Sequence, residues 1–432
     1  MPRPVAPCAR RIASQRGSEP VIHFVLDGRT VVTDEGHTVL AACREHGISL
    51  PTLCHLEGLS TVASCRLCLV EVDSLPRPVP ACATAVWEGM RVTTRSARLA
   101  QHRRSVVALL FANGDHVCAA CPASGCCELQ DLAQLLGVDH VDLELPRRAR
   151  PVDASRSRFL LDPGRCVLCT RCVRACAEIE GARTLGLAGR GARTRLVTDG
   201  GERWGDSPTC TDCGRCAAVC PTGALLETAT AAQGLAARSR PRRTPARAQP
   251  APPPLAAGEP GDRARLATVW LGGCSGCHMS LLDLDEALLA LASRVDLVYS
   301  PLTDAPELPP EVDVCLVEGA VATAGDEAEL RGARERARVL VALGDCACFG
   351  NVTAMRDAVG GAPAVLRRAW RAPAGVDAEL PALLDRVRPV AELVPIDLFL
   401  PGCPPGPGLI RAALEELAAG RLPALAGQAH FG

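Results

Sequence analysis

Between Cys166 and Cys220 one spacing of thiols occurs twice: Cys166, Cys169, Cys172 and Cys176, then Cys210, Cys213, Cys216 and Cys220, the last followed by Pro221. Three thiolates at i, i+3 and i+6 on a tight loop can cap one face of a 4Fe-4S cube, while the fourth lies too far round and reaches a neighbouring cube. The spacing therefore predicts two cubes with exchanged fourth ligands: Cys166, Cys169 and Cys172 with Cys220, and Cys210, Cys213 and Cys216 with Cys176. Structural zinc calls for separated pairs of cysteines rather than triplets with a Cys-Pro ending. The chemistry implied is one-electron transfer.

Three more sets of thiols lie outside that stretch. Cys54, Cys65, Cys68 and Cys82 run C-x10-C-x2-C-x13-C and lead straight into the apolar Leu69–Val72. Cys118, Cys121 and Cys127 run C-x2-C-x5-C, with His116 just ahead and Cys126 inside the run. Cys274 and Cys277, with the remote Cys346 and Cys403, make an all-thiolate set that spacing leaves open between zinc and a cluster. Of the 24 cysteines, Cys8, Cys43, Cys126, Cys315 and Cys348 are left over, and Cys43 and Cys315 sit on apolar patterns that suit core packing.

Composition bounds what such sites can serve. At 432 residues and 48% hydrophobic content, the chain should hold several domains, each with its own core. A net charge of -1 gives no general attraction to nucleic acid. Every basic residue is arginine, which excludes the lysine of a Walker-type phosphate loop, and no G-x-G-x-x-G fingerprint occurs. Nucleotide binding, where needed, must come from another chain. So many cysteines without a signal peptide predict a reducing compartment, the cytoplasm, and Arg10-Arg11 is followed by no apolar h-region. No apolar run reaches about 18 residues, so no membrane span is expected.

The elements that must position these residues follow from periodicity. After a disordered arm at 1–20, Val21–Leu26, the turn Asp27-Gly28 and Thr30–Val32 read as a hairpin, and a helix runs from a Thr38 cap to a stop at Gly47; these open a domain over 21–97. The segment 98–150 begins with a helix over Arg98–Phe111, with Leu99, Val106, Leu109 and Leu110 apolar and His102, Arg103 and Arg104 on a solvated face. Residues 151–227 hold the double motif, from a strand at Phe159–Leu161, with a Gly- and Arg-rich insert at 178–209 that suits a surface hairpin. Residues 228–263 are rich in Pro, Ala and Arg, cannot offset their ordering entropy, and read as a disordered linker. From 264 to 432 strands alternate with helices: Leu266–Leu271, Val295–Tyr299, Val312–Val317, Val339–Leu343 and Val394–Leu400 as strands, Ser280–Leu291, Asp326–Ala337 and Leu409–Ala419 as helices. That pattern predicts a flavodoxin-like open parallel sheet with helices on both faces, whose function collects at the carboxyl ends of the strands. Gly272-Gly-Cys274-Ser-Gly-Cys277, Glu318-Gly319, Gly344-Asp345-Cys346 and Pro401-Gly-Cys403 all fall there.

Hairpin, helix, cysteine loop and strand in 21–97 follow the order of a plant-type 2Fe-2S ferredoxin, and the long first gap resembles the N-terminal domain of the large iron–sulfur subunit of respiratory complex I and its hydrogenase relatives. The resemblance implies a β-grasp domain with a 2Fe-2S cluster on Cys54, Cys65, Cys68 and Cys82. His116-Val-Cys118-Ala-Ala-Cys121 with Cys127 resembles the H-x3-C-x2-C-x5-C motif of those families, in the short form of the diaphorase small subunit of bidirectional NAD-reducing nickel–iron hydrogenases. This implies a 4Fe-4S cluster on Cys118, Cys121 and Cys127, with His116 as fourth ligand because imidazole suits iron, and Cys126 as the rival.

Cys274-Ser-Gly-Cys277-His-Met-Ser-Leu-Leu-Asp283, with Cys346 and Cys403, resembles the small subunit of nickel–iron hydrogenases in its short cytoplasmic form. It implies a proximal 4Fe-4S cluster on those four cysteines; the related complex I subunit carries adjacent cysteines in place of C-x-x-C and passes electrons to quinone. Glu318 lies on a proton route or is a solvated turn carboxylate. The whole resembles a multidomain α+β and α/β fusion of the two small subunits, with one 2Fe-2S and four 4Fe-4S clusters. Its implied partners are a nickel–iron large subunit and a flavin subunit that reduces NAD, with no nucleic acid and no membrane span. The wire would run from the proximal cluster through the two ferredoxin cubes and the Cys118 cluster to the flavin, the 2Fe-2S site being a side branch. A complex-I-like module feeding quinone is the alternative.

Overall fold

The computed structural model describes residues 21–141, 143, 150–229, 263–370, 381–425 and 427–431. The arm at 1–20 and nearly all of the linker expected at 228–263 lie outside the described residues. Two compact units emerge: the described residues up to Thr52 with Thr61–Leu99, and Leu53–Ser60 with the described residues from Ala100 onward. Among the described residues no helix is long and apolar enough to cross a membrane.

In the first unit β1 (Val21–Leu26) and β2 (Arg29–Asp34) form the expected hairpin. Asp27 and Gly28 both take left-handed backbone, as a two-residue turn matched to strand twist requires. The chain continues through the helix Val39–Glu45, then β3 (Leu69–Val72), β4 (Val79–Pro80) and β5 (Arg91–Thr93). The sheet order is β2-β1-β5-β3-β4, with β1 and β5 parallel and the other neighbours antiparallel. Thr38 caps the helix by accepting from the Ala41 N–H at 3.2 Å. Its Val39, Leu40, Ala42 and Cys43 are buried in one core with Phe24, Leu26, Met90 and Val92.

The helix Ala97–Asn113 buries Arg103, Val107 and Phe111 and leaves Leu109 exposed. A solvated basic face is therefore wrong at Arg103, because burial follows the i, i+4 row and Arg103 lies in it. After the helix Glu128–Leu136 come β6 (Phe159–Leu161), the hairpin of β7 (Leu185–Ala188) and β8 (Arg195–Thr198), and β9 (Leu225–Glu227), which pairs antiparallel with β6.

The last part contains β10 (Ala264–Trp270), β11 (Val295–Tyr299), β12 (Val312–Glu318), a short β13 (Val321–Thr323), β14 (Ala337–Leu343), β15 (Leu383–Arg388) and β16 (Leu398–Leu400). β13 and β15 form a separate ribbon; the other five make one parallel sheet in the order β11-β10-β12-β14-β16. That is the doubly wound order, reversing direction at β10, so the crevice lies between the carboxyl ends of β10 and β12. One face buries Leu266, Val314, Leu316, Val341 and Leu343 against residues of the helices Gly276–Leu282, Glu286–Ala292 and Pro407–Ala418. The helix Ala324–Arg336, burying Leu330 and Ala333, packs on the sheet as well. Two expectations shift. The helix over Ser280–Leu291 breaks around Asp283–Asp285, where short carboxylates compete for backbone groups and Asp285 has φ of 49°. The strand over Val394–Leu400 shrinks to Leu398–Leu400, since Pro395 has no N–H for a ladder.

Candidate metal centres

The two triplet loops of the double motif fold alike. In each, the third and fifth residues are left-handed: Leu168 and Thr170 in the first, Asp212 and Gly214 in the second. Such alternation turns successive backbone N–H groups toward one side, a nest that suits an anionic group. The helical turns Arg171–Arg174 and Arg215–Ala218 then present Cys172 and Cys216. The first loop lines a small open cavity together with Cys220. A second such cavity is lined by Cys210, Cys213 and Cys216 together with Cys176. Each cavity thus gathers one triplet and the last cysteine of the other motif. A void among four thiols suits a group of several atoms better than one zinc ion, whose tetrahedral shell closes on itself. Among the described residues no three His, Cys, Asp or Glu side chains gather tightly enough to hold a single ion.

Electrostatics favours positive charge in these voids. Burial drives the Cys172 thiol well above its usual range, and repulsion from Cys169, Cys220, Cys166 and Cys216 adds to it. Burial likewise pushes Cys216 up to about 12, with Cys213, Cys210 and Cys176 contributing. Thiolates so crowded need a cationic group among them, which iron supplies. Cys172, Cys176 and Cys216 share one buried cluster, so the two sets of thiols adjoin.

Motif spacing gave no sign of the groups that brace these loops. Arg171, 3% exposed, donates to the Glu128 carboxylate at 2.8 Å and to the His55 carbonyl at 3.0 Å. Arg174, also buried, donates to the carbonyls of Cys54, Ser60 and Cys169. Ser60 in turn donates its N–H and hydroxyl to Glu178. The segment Leu53–Ser60, which carries the buried Cys54, is therefore stitched to the turn that presents Cys172. Cys65, Cys68 and Cys82 belong to the first unit, where Cys68 and Cys82 are core residues and the Ala81 N–H reaches the Cys68 carbonyl at 3.0 Å. The expected surface hairpin at 178–209 is present as β7 and β8, yet it also reaches inward: Leu185, Leu196 and Trp204 are buried among the cysteines of the double motif.

Cys118, Cys121 and Cys127 are held by a short turn and the start of the helix Glu128–Leu136. Burial pushes the Cys127 thiol to about 12, with Cys121 and Cys220 adding to it. A β-carbon on Gly223 would sit 2.8 Å from the Cys121 sulfur, so the Pro221–Gly223 turn packs directly against this set. His116 is half-buried, and its Nε2 is enclosed without a hydrogen-bond partner. Its other ring nitrogen engages the Leu110 carbonyl, while burial and then the Arg165 charge hold the imidazole neutral, with a pKa of about 4. A neutral ring with one nitrogen fixed and the other bare is the tautomer a metal ligand needs. Gly114 is required beside it, because a β-carbon there would lie 2.2 Å from Nε2. Cys126 instead directs its thiol to the Ala123 carbonyl at 3.3 Å. His116→Ala should therefore change the paramagnetic spectrum of the Cys118 cluster alone; an unchanged spectrum would remove His116 from the ligand set.

The four cysteines of the parallel sheet follow β10, β14 and β16: Cys274 in a loop and Cys277 in the first turn of the helix Gly276–Leu282, Cys346 in the short helix Gly344–Phe349, and Cys403 in the loop after β16. Burial and then the charges of Glu318, Cys346, Cys403 and Cys274 raise the Cys277 thiol far above its usual range, so all four are mutual neighbours. Gly344, at φ of 85°, leaves room for them: a β-carbon there would fall 2.2 Å from the Cys277 sulfur. Glu318 is 3% exposed, which overturns its reading as a solvated turn carboxylate. It accepts from the His278 N–H at 3.0 Å and the Cys277 N–H at 3.4 Å and pairs with the His278 Nδ1, fixing the loop that carries Cys277. Asp345, 1% exposed, accepts from the Gly402 N–H at 2.6 Å and joins the loops of Cys346 and Cys403.

Asp345 also acts on Cys118, whose thiol is raised by burial and then by this carboxylate. The neighbouring packing agrees: Gln130 donates to the Phe431 carbonyl at 2.8 Å, and the Phe431 ring lies 5.0 Å from Phe111 and 4.9 Å from Phe349. The Cys118 set thus has the Cys166–Cys220 set on one side, through Cys127 and Gly223, and the Cys346–Cys403 loops on the other. This corrects the expected wire, in which both ferredoxin cubes separated the proximal site from Cys118. Within the same unit, the Cys54 carbonyl shares Arg174 with the Cys169 carbonyl.

Four stretches match known families. Residues 19–97 match a 2Fe-2S iron-sulfur cluster binding domain, and 103–142 the NADH-ubiquinone oxidoreductase-G iron-sulfur binding region. Residues 160–226 match the ferredoxin-like domain of NADH-quinone oxidoreductase subunit 3, and 274–417 the 20 Kd subunit of NADH ubiquinone oxidoreductase. The chain is accordingly an iron–sulfur oxidoreductase subunit, with ferredoxin-like domains followed by a parallel α/β domain. The alpha subunit of the NADPH-Fe(3+) oxidoreductase of Geobacter sulfurreducens is 34% identical over 206 residues, 48% of this chain and 24% of that protein. NADP-reducing hydrogenase subunit HndD of Solidesulfovibrio fructosivorans is 37% identical over 215 residues, 48% of this chain and 36% of that protein. The chain therefore spans only a minor part of the length of these relatives. A chain of a solved NAD+-reducing NiFe-hydrogenase in the H2-reduced state is 36% identical, covering 51% of this chain and 91% of that one, with a TM-score of 0.47.

Proposed function

We propose that this chain is the electron conductor between a nickel–iron hydrogenase large subunit and a flavin subunit that reduces NAD(P), a cytoplasmic fusion of a diaphorase small subunit with a hydrogenase small subunit. One observation carries the reading: the segments of Cys54, Cys169, Cys121 and Cys346 neighbour one another in turn, and Cys346 shares the carboxyl edge of a parallel sheet with the exposed Cys274. Clusters bound there, one 2Fe-2S and four 4Fe-4S, would supply one-electron relay sites.

The chain's own residues do the rest. Cys54, Cys65, Cys68 and Cys82 are the ligands of the first site, and Cys118, Cys121 and Cys127 with His116 those of another. The exchanged sets of the double motif hold two cubes, and Cys274, Cys277, Cys346 and Cys403 hold the proximal one. The set of Cys176, Cys210, Cys213 and Cys216 adjoins Cys172 and stands beside the row. Buried arginines, Arg171 and Arg174, fix the loops. Glu318, paired with His278 beside Cys277, offers a proton route at the edge that meets the large subunit.

The match of 274–417 to a complex I subunit favours a second reading, a module feeding quinone. The two-residue gap between Cys274 and Cys277 favours the hydrogenase. Hydrogen-dependent reduction of NAD(P) by the assembled complex separates them: the hydrogenase reading expects it, and NADH-dependent quinone reduction in its place contradicts it. The chain by itself, lacking a phosphate loop and a dinucleotide fingerprint, should catalyse neither half.

A further inference from the structure

Trp204 sits in the insert between the two cysteine motifs, a position that cluster ligation does not call on. It is 1% exposed, and its indole stacks on Phe159 with ring centroids 5.4 Å apart. Its Nε1–H donates to the Cys210 sulfur at 3.3 Å. A buried tryptophan with a satisfied N–H is ordinary core packing, but the acceptor in this case is a cysteine of the second triplet.

The surroundings fix the indole against that sulfur. Asp153 accepts from the Trp204 N–H at 2.8 Å, and the Ser155 hydroxyl accepts from the Gly205 N–H at 2.7 Å. Gly205 admits no side chain, because its β-carbon would lie 2.6 Å from the Ser155 carbonyl oxygen. Arg156 spans both partners: it donates to the Trp204 carbonyl at 3.3 Å, to the Cys210 carbonyl at 3.1 Å and to the Asp212 carboxylate. Residues 153–156 thus hold the tryptophan and the Cys210 loop in one register.

We propose that Trp204 is a positioning residue that sets the reduction potential of the cube on Cys176, Cys210, Cys213 and Cys216, through its N–H···S bond to Cys210. Adding an electron increases the negative charge on the thiolates, so a donor to sulfur stabilises the reduced cube more than the oxidised one and raises its potential. Only the strengthening of that bond on reduction counts, and a tenfold change in the ratio of reduced to oxidised cube corresponds to about 59 mV for one electron. The cube beside the row would thereby hold electrons in preference to a cube without such a donor. The inference rests on the reading that these four cysteines bind a cube.

The test is Trp204→Phe in the full chain, purified anaerobically with its partner subunits, because phenylalanine keeps the stack on Phe159 and removes only the donor. Electron paramagnetic resonance during redox titration should show the signal that Cys213→Ser alters shifting to lower potential. The expected size is about tenfold in the reduced-to-oxidised ratio, or about 59 mV for one electron, with iron content unchanged. In the unsubstituted protein carrying 15N-labelled indole, that signal should show coupling to the indole nitrogen and to its exchangeable proton. A full-strength signal with unchanged potential in Trp204→Phe, or no indole coupling in the unsubstituted protein, overturns the role of Trp204. Absence of any signal that Cys213→Ser alters would instead defeat the assignment of a cube to these cysteines.

Discussion

Cys403→Ser should abolish hydrogen-driven NAD(P) reduction in the assembled complex while NADH oxidation by an artificial acceptor at the flavin end survives. Cys403 completes the set at one end of the row, and its thiol is pushed up to about 11 by burial and then by Asp345, Cys346 and Cys274. A serine hydroxyl is a harder ligand than thiolate and suits a cluster poorly. Since changes to groups that merely support metal ligands cost about 10–100-fold, loss of a ligand should cost about a hundredfold or more in the hydrogen-driven rate. Both assays on one preparation decide the matter. Loss of both activities with the complex intact would show that the row does not divide into a hydrogen end and a nucleotide end.

Cys220→Ser should remove the cube on Cys166, Cys169 and Cys172, although Cys220 belongs to the other motif by sequence. Cys220 lines the first cavity, and Cys176 the second. Iron should fall by about four of the roughly 18 atoms per chain that one 2Fe-2S and four 4Fe-4S clusters imply. In the proposed row this cube comes between Cys54 and Cys118, so transfer along it should stop. Cys176→Ser should instead disturb the cube beside the row and leave through-transfer largely intact. A Cys220→Ser protein whose altered signal belongs to Cys210, Cys213 and Cys216 would refute the exchanged ligand sets.

The thiols were legible because a cube imposes spacing on the loop that caps it, so Cys166–Cys172 and Cys210–Cys216 announce themselves in one dimension. The parallel sheet was equally legible: β10, β12 and β14 are near-continuous apolar runs, as strands buried on both faces must be. Partners that arrive from afar in sequence leave no such mark. Arg174 reads as one arginine among many until its guanidinium is seen on the carbonyls of Cys54 and Cys169. Trp204, in a polar insert, gave only the cue that a large aromatic ring rarely stands in a loop without packing. The burial of Glu318 could not be told from a turn, since Gly319 after it reads as punctuation whether or not the carboxylate is enclosed. The order of the sites was beyond spacing altogether, because it depends on Asp345 and the Phe431 ring meeting the Cys118 segment.

The central claim is that this chain joins a nickel–iron enzyme to a flavin enzyme. Its most direct test is the nickel and flavin content of the complex isolated anaerobically through this chain. The account predicts nickel and flavin each in equal amount with the chain, alongside iron and without zinc. A complex that contains flavin and iron but no nickel would contradict it.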